Sequence, residues 1–208
     1  PPGGRHAALS LVRRPSSKKP MSLPPNPSPC QPEPCSWVLV GMMGSGKSTI
    51  GQLIAQQTGR RYVDTDRVVE SRVGRSVASI FSVYGEAAFR DHETSVLAAL
   101  SPGADVVSTG GGAVLRESNW SEIRRLGVSL YLHADLDILR ERLGRSRRKR
   151  PLLANDDWED RLAEILEGRL PLYRKADAVL EVGDRSMEEV ARRAIDLFRS
   201  LEQERPVR

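Results

Sequence analysis

Nine consecutive residues constrain this chain more than anything else in it. Gly41-Met-Met-Gly44-Ser45-Gly46-Lys47-Ser48-Thr49 satisfies the pattern G-x-x-x-x-G-K-[ST], and it stands between an apolar run, Trp37 to Val40, and a stretch of helical periodicity. That context decides its meaning, because a strand, a glycine loop and a helix start together form a phosphate cradle. Without Cβ atoms in the way, backbone N–H groups can converge on phosphate oxygens, and the helix start adds the positive end of its dipole. Lys47 is then placed for the β and γ phosphates of a nucleoside triphosphate, and the Ser48 hydroxyl for a magnesium ion. A ligand-free glycine turn is the plainer alternative, and the flanking strand and helix count against it.

The rest of the chain alternates in the same sense. Short apolar runs at Trp37 to Val40, Tyr62 to Val63, Asp105 to Ser108, Val128 to Leu132 and Ala178 to Val182 predict five strands. Between them, helical spacing predicts helices near 47–58, 77–84, 86–100, 119–126, 136–143, 158–170 and 187–202. Ser186 and Glu189 form a capping box at the start of the last one, with Val190, Ala194, Leu197 and Phe198 as its inward stripe. Strands crossing over through helices give an α/β fold, a three-layer αβα sandwich around a five-stranded parallel sheet. No repeat of 20 to 50 residues is visible, which removes solenoids and propellers. At 208 residues, 39% apolar, one domain is expected.

The net charge of +5 is unevenly spread. Residues 1–35 hold Arg5, Arg13, Arg14, Lys18 and Lys19 against Glu33, together with ten of the 14 prolines; the remainder carries 27 basic and 26 acidic side chains. The predicted globular part, 36–208, is therefore nearly neutral, which speaks against a nucleic-acid partner. The first segment cannot bury enough surface to order itself and reads as a disordered, Pro-rich basic tail. A solvated extension, a plastid transit peptide and an upstream-extended reading frame starting at Met21 all fit its composition. No apolar run is long enough to span a membrane, and Cys30 and Cys35 are too few for a disulfide framework. A cytoplasmic location is expected, with a plastid as the alternative if the tail is a transit peptide.

What faces the γ-phosphate decides the chemistry. The second strand is expected to end in Asp64-Thr65-Asp66, and in an extended segment residues two apart face the same way, so both carboxylates would enter one space. One would serve the metal and the other the substrate, with helix capping as the bland alternative. A Walker-B acid at the end of the third strand is missing, since Asp105 stands at its start, and this moves the metal-side acid to Asp64. Gly110-Gly111-Gly112 follow that strand at its carboxyl end, where open α/β sheets bind ligands, and would let the backbone approach a small molecule. Arg90, with Glu93 three residues on, is a candidate carboxylate clamp. Six basic residues, Arg142, Arg145, Arg147, Arg148, Lys149 and Arg150, precede Pro151-Leu-Leu153 and predict a mobile lid, about 144–157, closing over phosphates. A nucleic-acid patch is the alternative, and no aromatic residues interleave with these charges for stacking.

Taken in order, the phosphate loop, Asp64-Thr-Asp66, Gly85-Glu86-x-x-Phe89-Arg90-x-x-Glu93, Thr109-Gly-Gly-Gly-Ala113, Arg150-Pro-Leu-Leu153 and Arg169-Leu-Pro-Leu-Tyr173 resemble the shikimate kinase family over about residues 36–200. The resemblance implies a P-loop kinase that uses ATP and Mg²⁺ to phosphorylate the 3-hydroxyl of shikimate. It implies that Gly44, Ser45, Gly46, Lys47, Ser48 and Thr49 bind ATP, and that Ser48 and Asp64 serve the metal. Asp66 would orient or deprotonate the attacking hydroxyl, and Arg90 and Arg169 would clamp the carboxylate. Gly111 and Gly112 would touch the ring substituents, and Arg150 the transferring phosphoryl group. Arg145 and Arg185 would lie by the adenine. Lys47, Asp66 and Arg150 are thus the expected catalytic set, in a chain expected to act as a monomer on a small-molecule substrate. A kinase of another polyhydroxy acid, such as gluconate, is the nearest alternative. A nucleotide-dependent nucleic-acid-binding protein is the more distant one.

Overall fold

The computed structural model describes residues 35–146, 151–153 and 157–204. Five strands, β1 (Ser36–Val40), β2 (Arg61–Asp64), β3 (Asp105–Ser108), β4 (Gly127–His133) and β5 (Ala178–Glu181), form one all-parallel sheet in the order β2-β3-β1-β4-β5. Seven α-helices are described: α1 (Lys47–Thr58), α2 (Thr65–Val73), α3 (Val77–Ala99), α4 (Glu117–Leu126), α5 (Leu136–Gly144), α6 (Trp158–Tyr173) and α7 (Met187–Glu204).

Every residue of β1 is buried, as the central strand of a sheet covered on both faces must be. Alternate side chains divide between the two layers. Trp37 stacks on Phe198 of α7 with ring centroids 5.0 Å apart, while the Arg60 guanidinium lies 3.8 Å from the Trp37 ring centroid and pairs with Glu202. This arrangement holds α7 beside α1, and Ser186 caps α7 by accepting from the Glu189 N–H at 3.2 Å. On the other side, α4 presents buried Trp120, Ile123 and Leu126, each contributing about 1.5–3 kcal/mol on burial. A second, smaller apolar cluster, Val69, Ile80, Phe89 and Val96, joins α2 to α3 away from the sheet.

Two elements differ from expectation. The chain turns into a helix at Thr65 instead of continuing as a strand, so α2 is an element the sequence pattern did not predict. Its N-cap is Asp64, whose Oδ1 accepts from the N–H groups of Asp66 (3.1 Å) and Arg67 (3.3 Å). The two helices expected at 77–84 and 86–100 meet end to end as α3, and the break expected between them is Gly85, at φ 84° and ψ 171°. Cys35, assigned to the tail, is buried, and its carbonyl accepts from Arg60 at 2.8 Å. The rest of that tail, residues 1–34, lies outside the described residues, as does half of the expected lid, 147–150 and 154–156.

Candidate active site

Three loops leave the carboxyl ends of β1, β2 and β3 side by side, and hydrogen bonds tie them. Thr109, just past β3, donates through both its N–H (3.1 Å) and its hydroxyl (3.0 Å) to the Leu39 carbonyl in β1. The Gly110 N–H donates to the Thr65 hydroxyl at 3.1 Å. This places the phosphate loop, the Asp64–Asp66 turn and the triple-glycine loop around one crevice, at the edge where parallel sheets bind ligands.

The phosphate loop has the geometry its composition predicts. Gly44 and Gly46 take φ of 85° and 95°, a left-handed region that disfavours any Cβ. Buried Lys47 donates from Nζ to the carbonyls of Gly41 (2.7 Å) and Met42 (2.9 Å). A cavity of about 300 Å³ opens here, lined by Gly44, Gly46, Lys47, Ser48, Thr49, Asp64, Asp66 and Gly111 among others. Ser45 is fully buried behind the loop and does not line it. Arg142, on α5, does line it, and burial pulls the pKa of this guanidinium below its ordinary value. A cation stripped of water beside a phosphate-sized space is relieved by an anion. The basic run is thus divided: Arg142 belongs to a helix, not to a flap.

At the cavity's rim the Ser48 hydroxyl donates to Asp64 Oδ2 at 3.0 Å, and the Tyr62 hydroxyl donates to the same oxygen at 3.2 Å. Capping and a place facing the phosphate cavity, set against each other as alternatives from sequence, are compatible in Asp64: Oδ1 caps α2 and Oδ2 accepts from Ser48. Hydroxyl and carboxylate oxygens suit Mg²⁺, which keeps several waters and binds through one or two protein groups plus the nucleotide phosphates. Among the described residues no group of three or more His, Cys, Asp and Glu side chains is placed to hold a metal ion. A magnesium that comes with the phosphates fits Ser48 and Asp64.

Beyond Asp66 lies a second cavity of about 70 Å³, lined by Asp66, Arg90, Gly110, Gly111, Gly112 and Arg169, with an apolar wall of Val77, Phe81, Phe89, Pro151 and Leu152. Asp66, Met43 and Gly111 line both spaces, so the two cavities adjoin. The two carboxylates of the Asp64–Asp66 turn do come to this crevice, but through a strand-to-helix turn and not through the alternation of an extended segment.

Arg90 is held on three atoms. Its Nη1 donates to Glu93 Oε2 at 2.9 Å, and Nη2 (2.9 Å) and Nε (3.2 Å) both donate to Glu86 Oε1. The spacings i,i+3 and i,i+4 on one helix make this possible, and Glu86 begins a fresh helical segment directly after the Gly85 break. Burial works against the Arg90 charge, but Glu93 and Glu86 outweigh it and raise its pKa. Burial pushes the Glu93 carboxyl up, with Arg90 pulling the other way. Arg169, on α6, is buried too and donates from Nη1 to the Gly111 carbonyl at 3.2 Å. Two guanidinium groups thus reach one small cavity whose far wall is apolar.

The three glycines between these groups all have φ outside the positive range. Their need is for space. A Cβ on Gly110 would strike the Glu93 and Asp66 carboxylates, one on Gly111 would press on the Met43 backbone, and one on Gly112 would collide with the Arg90 guanidinium.

Other expected residues stand apart. Arg145 is 80% exposed and pairs with Glu141 at 2.9 Å, while Arg185 pairs with Glu189 at 3.3 Å and donates to the Glu181 carbonyl. Neither lines the described cavities. Arg150 lies outside the described residues. Conversely, Met43, Met187, Val77 and Phe81 line the site without having been singled out for it. For two of these the sequence does carry a signal: Val77 and Phe81 stand four apart on the helical segment before Gly85.

Comparison with known proteins agrees with this geometry. The family model for shikimate kinase matches residues 43–199. The chain belongs to the shikimate kinase family. It is 39% identical over 165 residues to a shikimate kinase of Thermodesulfovibrio yellowstonii, covering 79% of this chain and 95% of that one. With a shikimate kinase of Symbiobacterium thermophilum it shares 44% over 156 residues, covering 74% and 90%. The shikimate kinase of Acinetobacter baumannii, solved in complex with shikimate, superposes with a TM-score of 0.77 at 34% identity, over 80% of this chain and 94% of that one. A gluconokinase of Sinorhizobium meliloti shares the fold at 20% identity and a TM-score of 0.57. Membership of the shikimate kinase family makes the chain a phosphotransferase. No helix among the described residues is long and apolar enough to cross a membrane.

Proposed function

We propose that this chain transfers the γ-phosphate of ATP to the 3-hydroxyl of shikimate, giving shikimate 3-phosphate and ADP, as a Mg²⁺-dependent monomer of the cytoplasm. The observation that carries the reading is the junction of the two cavities at Asp66: a phosphate space on one side, and on the other an apolar-walled space reached by two guanidinium groups. A ring acid fits the second space, with its carboxylate on Arg90 and Arg169 and its carbon face on Phe81 and Phe89. A linear polyol acid has no flat apolar face to offer that wall, which favours shikimate over gluconate.

In this reading the phosphate loop and Lys47 bind the triphosphate, and Arg142 adds positive charge on the same side. Asp66 stands between donor and acceptor and takes the proton of the attacking hydroxyl as the oxygen–phosphorus bond forms and the bond to ADP breaks. Ser48 and Asp64 would hold Mg²⁺, which would supply charge neutralisation to the nucleotide phosphates. By family resemblance Arg150 serves the transferring phosphoryl group. Alignment and charge neutralisation supply most of the catalysis in phosphoryl transfer. The near-neutral globular part supports a small-molecule partner over nucleic acid.

The test is a coupled ADP-release assay with shikimate and gluconate side by side. Turnover with shikimate is expected, and turnover with gluconate alone overturns the reading. Arg90→Ala should raise KM for shikimate by about tenfold or more, with KM for ATP nearly unchanged; equal effects on both would remove Arg90 from the carboxylate clamp.

A further inference from the structure

The Gly111 carbonyl accepts two hydrogen bonds from one helix. Arg169 Nη1 donates to it at 3.2 Å, and the Tyr173 hydroxyl donates to it at 2.5 Å. Both donors stand on α6 at i and i+4, with Pro171 between them. Proline lacks the N–H that would bond back to Glu167, so the helix is weakened at the turn that carries both groups. The shared carbonyl ties that turn to the triple-glycine loop.

Tyr173 is fully buried, and its ring is fixed without its hydroxyl. It stacks on Tyr131 with centroids 5.0 Å apart and planes within 15°, and Tyr131 is in turn anchored by a 2.8 Å hydrogen bond between its hydroxyl and His133 Nδ1. A phenylalanine would fill the same place with no polar atom to satisfy. The hydroxyl therefore calls for an account of its own, and its contacts, the Gly111 carbonyl, the Met42 sulfur at 3.6 Å and the Arg169 guanidinium, belong to the two loops that frame the site and to the clamp itself. Burial pushes the Tyr173 pKa up to about 12, so the group is a donor throughout the physiological range.

We propose that the Tyr173 hydroxyl is a positioning group for the acceptor: by holding the Gly111 carbonyl it fixes the atom on which Arg169 rests, and with it the direction in which that guanidinium meets the substrate carboxylate. The proposal rests on the function given above. Tyr173 does not line the acceptor cavity and acts only through Arg169 and the Gly111 peptide. With the hydroxyl removed, the peptide between Gly111 and Gly112 has lost its shorter restraint and Arg169 its fixed seat.

The experiment is a double-mutant cycle in the full chain, with KM for shikimate, KM for ATP, kcat and melting temperature measured for wild type, Tyr173→Phe, Arg169→Ala and the double variant. One hydrogen bond of ordinary strength predicts about a fivefold rise in KM for shikimate in Tyr173→Phe, with KM for ATP unchanged. In the Arg169→Ala background the same substitution should add nothing to a KM already raised. Rescue is built in, because the ring and its stacking remain. A merely structural hydroxyl would lower the melting temperature and leave the ratio of the two KM values alone. An unchanged KM for shikimate in Tyr173→Phe overturns the proposal, and so does a fivefold rise that persists without Arg169. A wild-type chain that does not turn over shikimate overturns the functional reading, and this proposal with it; a normal wild type with a silent Tyr173→Phe overturns this proposal alone.

Discussion

Gly112→Ala tests the arrangement of the acceptor site more sharply than removal of any charged group. Gly112 has φ −104° and ψ 2°, a conformation open to alanine, so the substitution introduces no backbone strain. What it introduces is one methyl group where the Arg90 guanidinium lies. Arg90 is the far end of a flexible side chain, but it is not free to yield, because Glu93 and Glu86 hold it on three nitrogens. Either the clamp moves or the glycine loop does, and both spoil the grip on a carboxylate. Hydrogen bonds to a charged partner contribute roughly 1.5–3 kcal/mol, which converts to roughly a ten- to hundredfold rise in KM for shikimate. If the shift parts Arg90 from buried Glu93, stability falls by about 3 kcal/mol or more, and the melting temperature reports it. Gly103→Ala is the control, since a Cβ there meets nothing within 4 Å. Initial rates with shikimate varied at saturating ATP give the answer. An unaltered KM for shikimate in Gly112→Ala, at an unaltered melting temperature, would refute the claim that this glycine exists to make room for Arg90.

Lys47→Ala should abolish turnover, and substantial residual activity in the ADP-release assay would contradict its place at the phosphates. Asp66→Asn should lower kcat by roughly a hundredfold or more while ATP binding, measured by calorimetry, is retained; loss of ATP binding would instead assign Asp66 to the nucleotide. Burial raises the Glu93 pKa in the folded state, so the folded chain holds that proton more tightly than the unfolded one. The stability Glu93 contributes is therefore full below the ordinary carboxylate range and declines as pH rises through it. Glu93→Gln should flatten the urea-midpoint profile above the ordinary carboxylate range, and an identical slope in both proteins would reverse the assigned direction.

The parts of the molecule that were readable in advance are those whose information is local. The phosphate loop, its strand and its helix lie within Ser36 to Thr58, and Arg90 with Glu93 are one helical turn apart. All five strands were anticipated from short apolar runs; the central β1 and β4 are apolar because the sheet is covered on both faces there, while the edge strands β2 and β5 are largely unburied and were legible only as short apolar pieces. The failure at Thr65 has a specific cause. Asp64-Thr-Asp66 satisfies an alternating strand end and a capped helix start equally well, and only the hydrogen bonds from Asp66 and Arg67 back to Asp64 choose between them. Glu86 stands four residues before Arg90 inside the helix expected at 86–100, so its pairing with Arg90 was open to the same spacing argument that picked out Glu93. The purpose of Gly112 and of the Tyr173 hydroxyl could not be read at all. Each depends on a neighbour brought in from another element, as with the 62 positions that separate Tyr173 from Gly111.

The common wall of the two cavities has a practical corollary. Among the described residues the phosphate cavity and the apolar-walled cavity share Asp66, Met43 and Gly111, so on the proposed function a covalent bridge between an adenosine polyphosphate and a cyclohexene carboxylate has a very short partition to cross. A molecule built that way surrenders its tumbling freedom once where the separate reactants surrender it twice, and its two halves raise each other's effective concentration into the millimolar range or beyond.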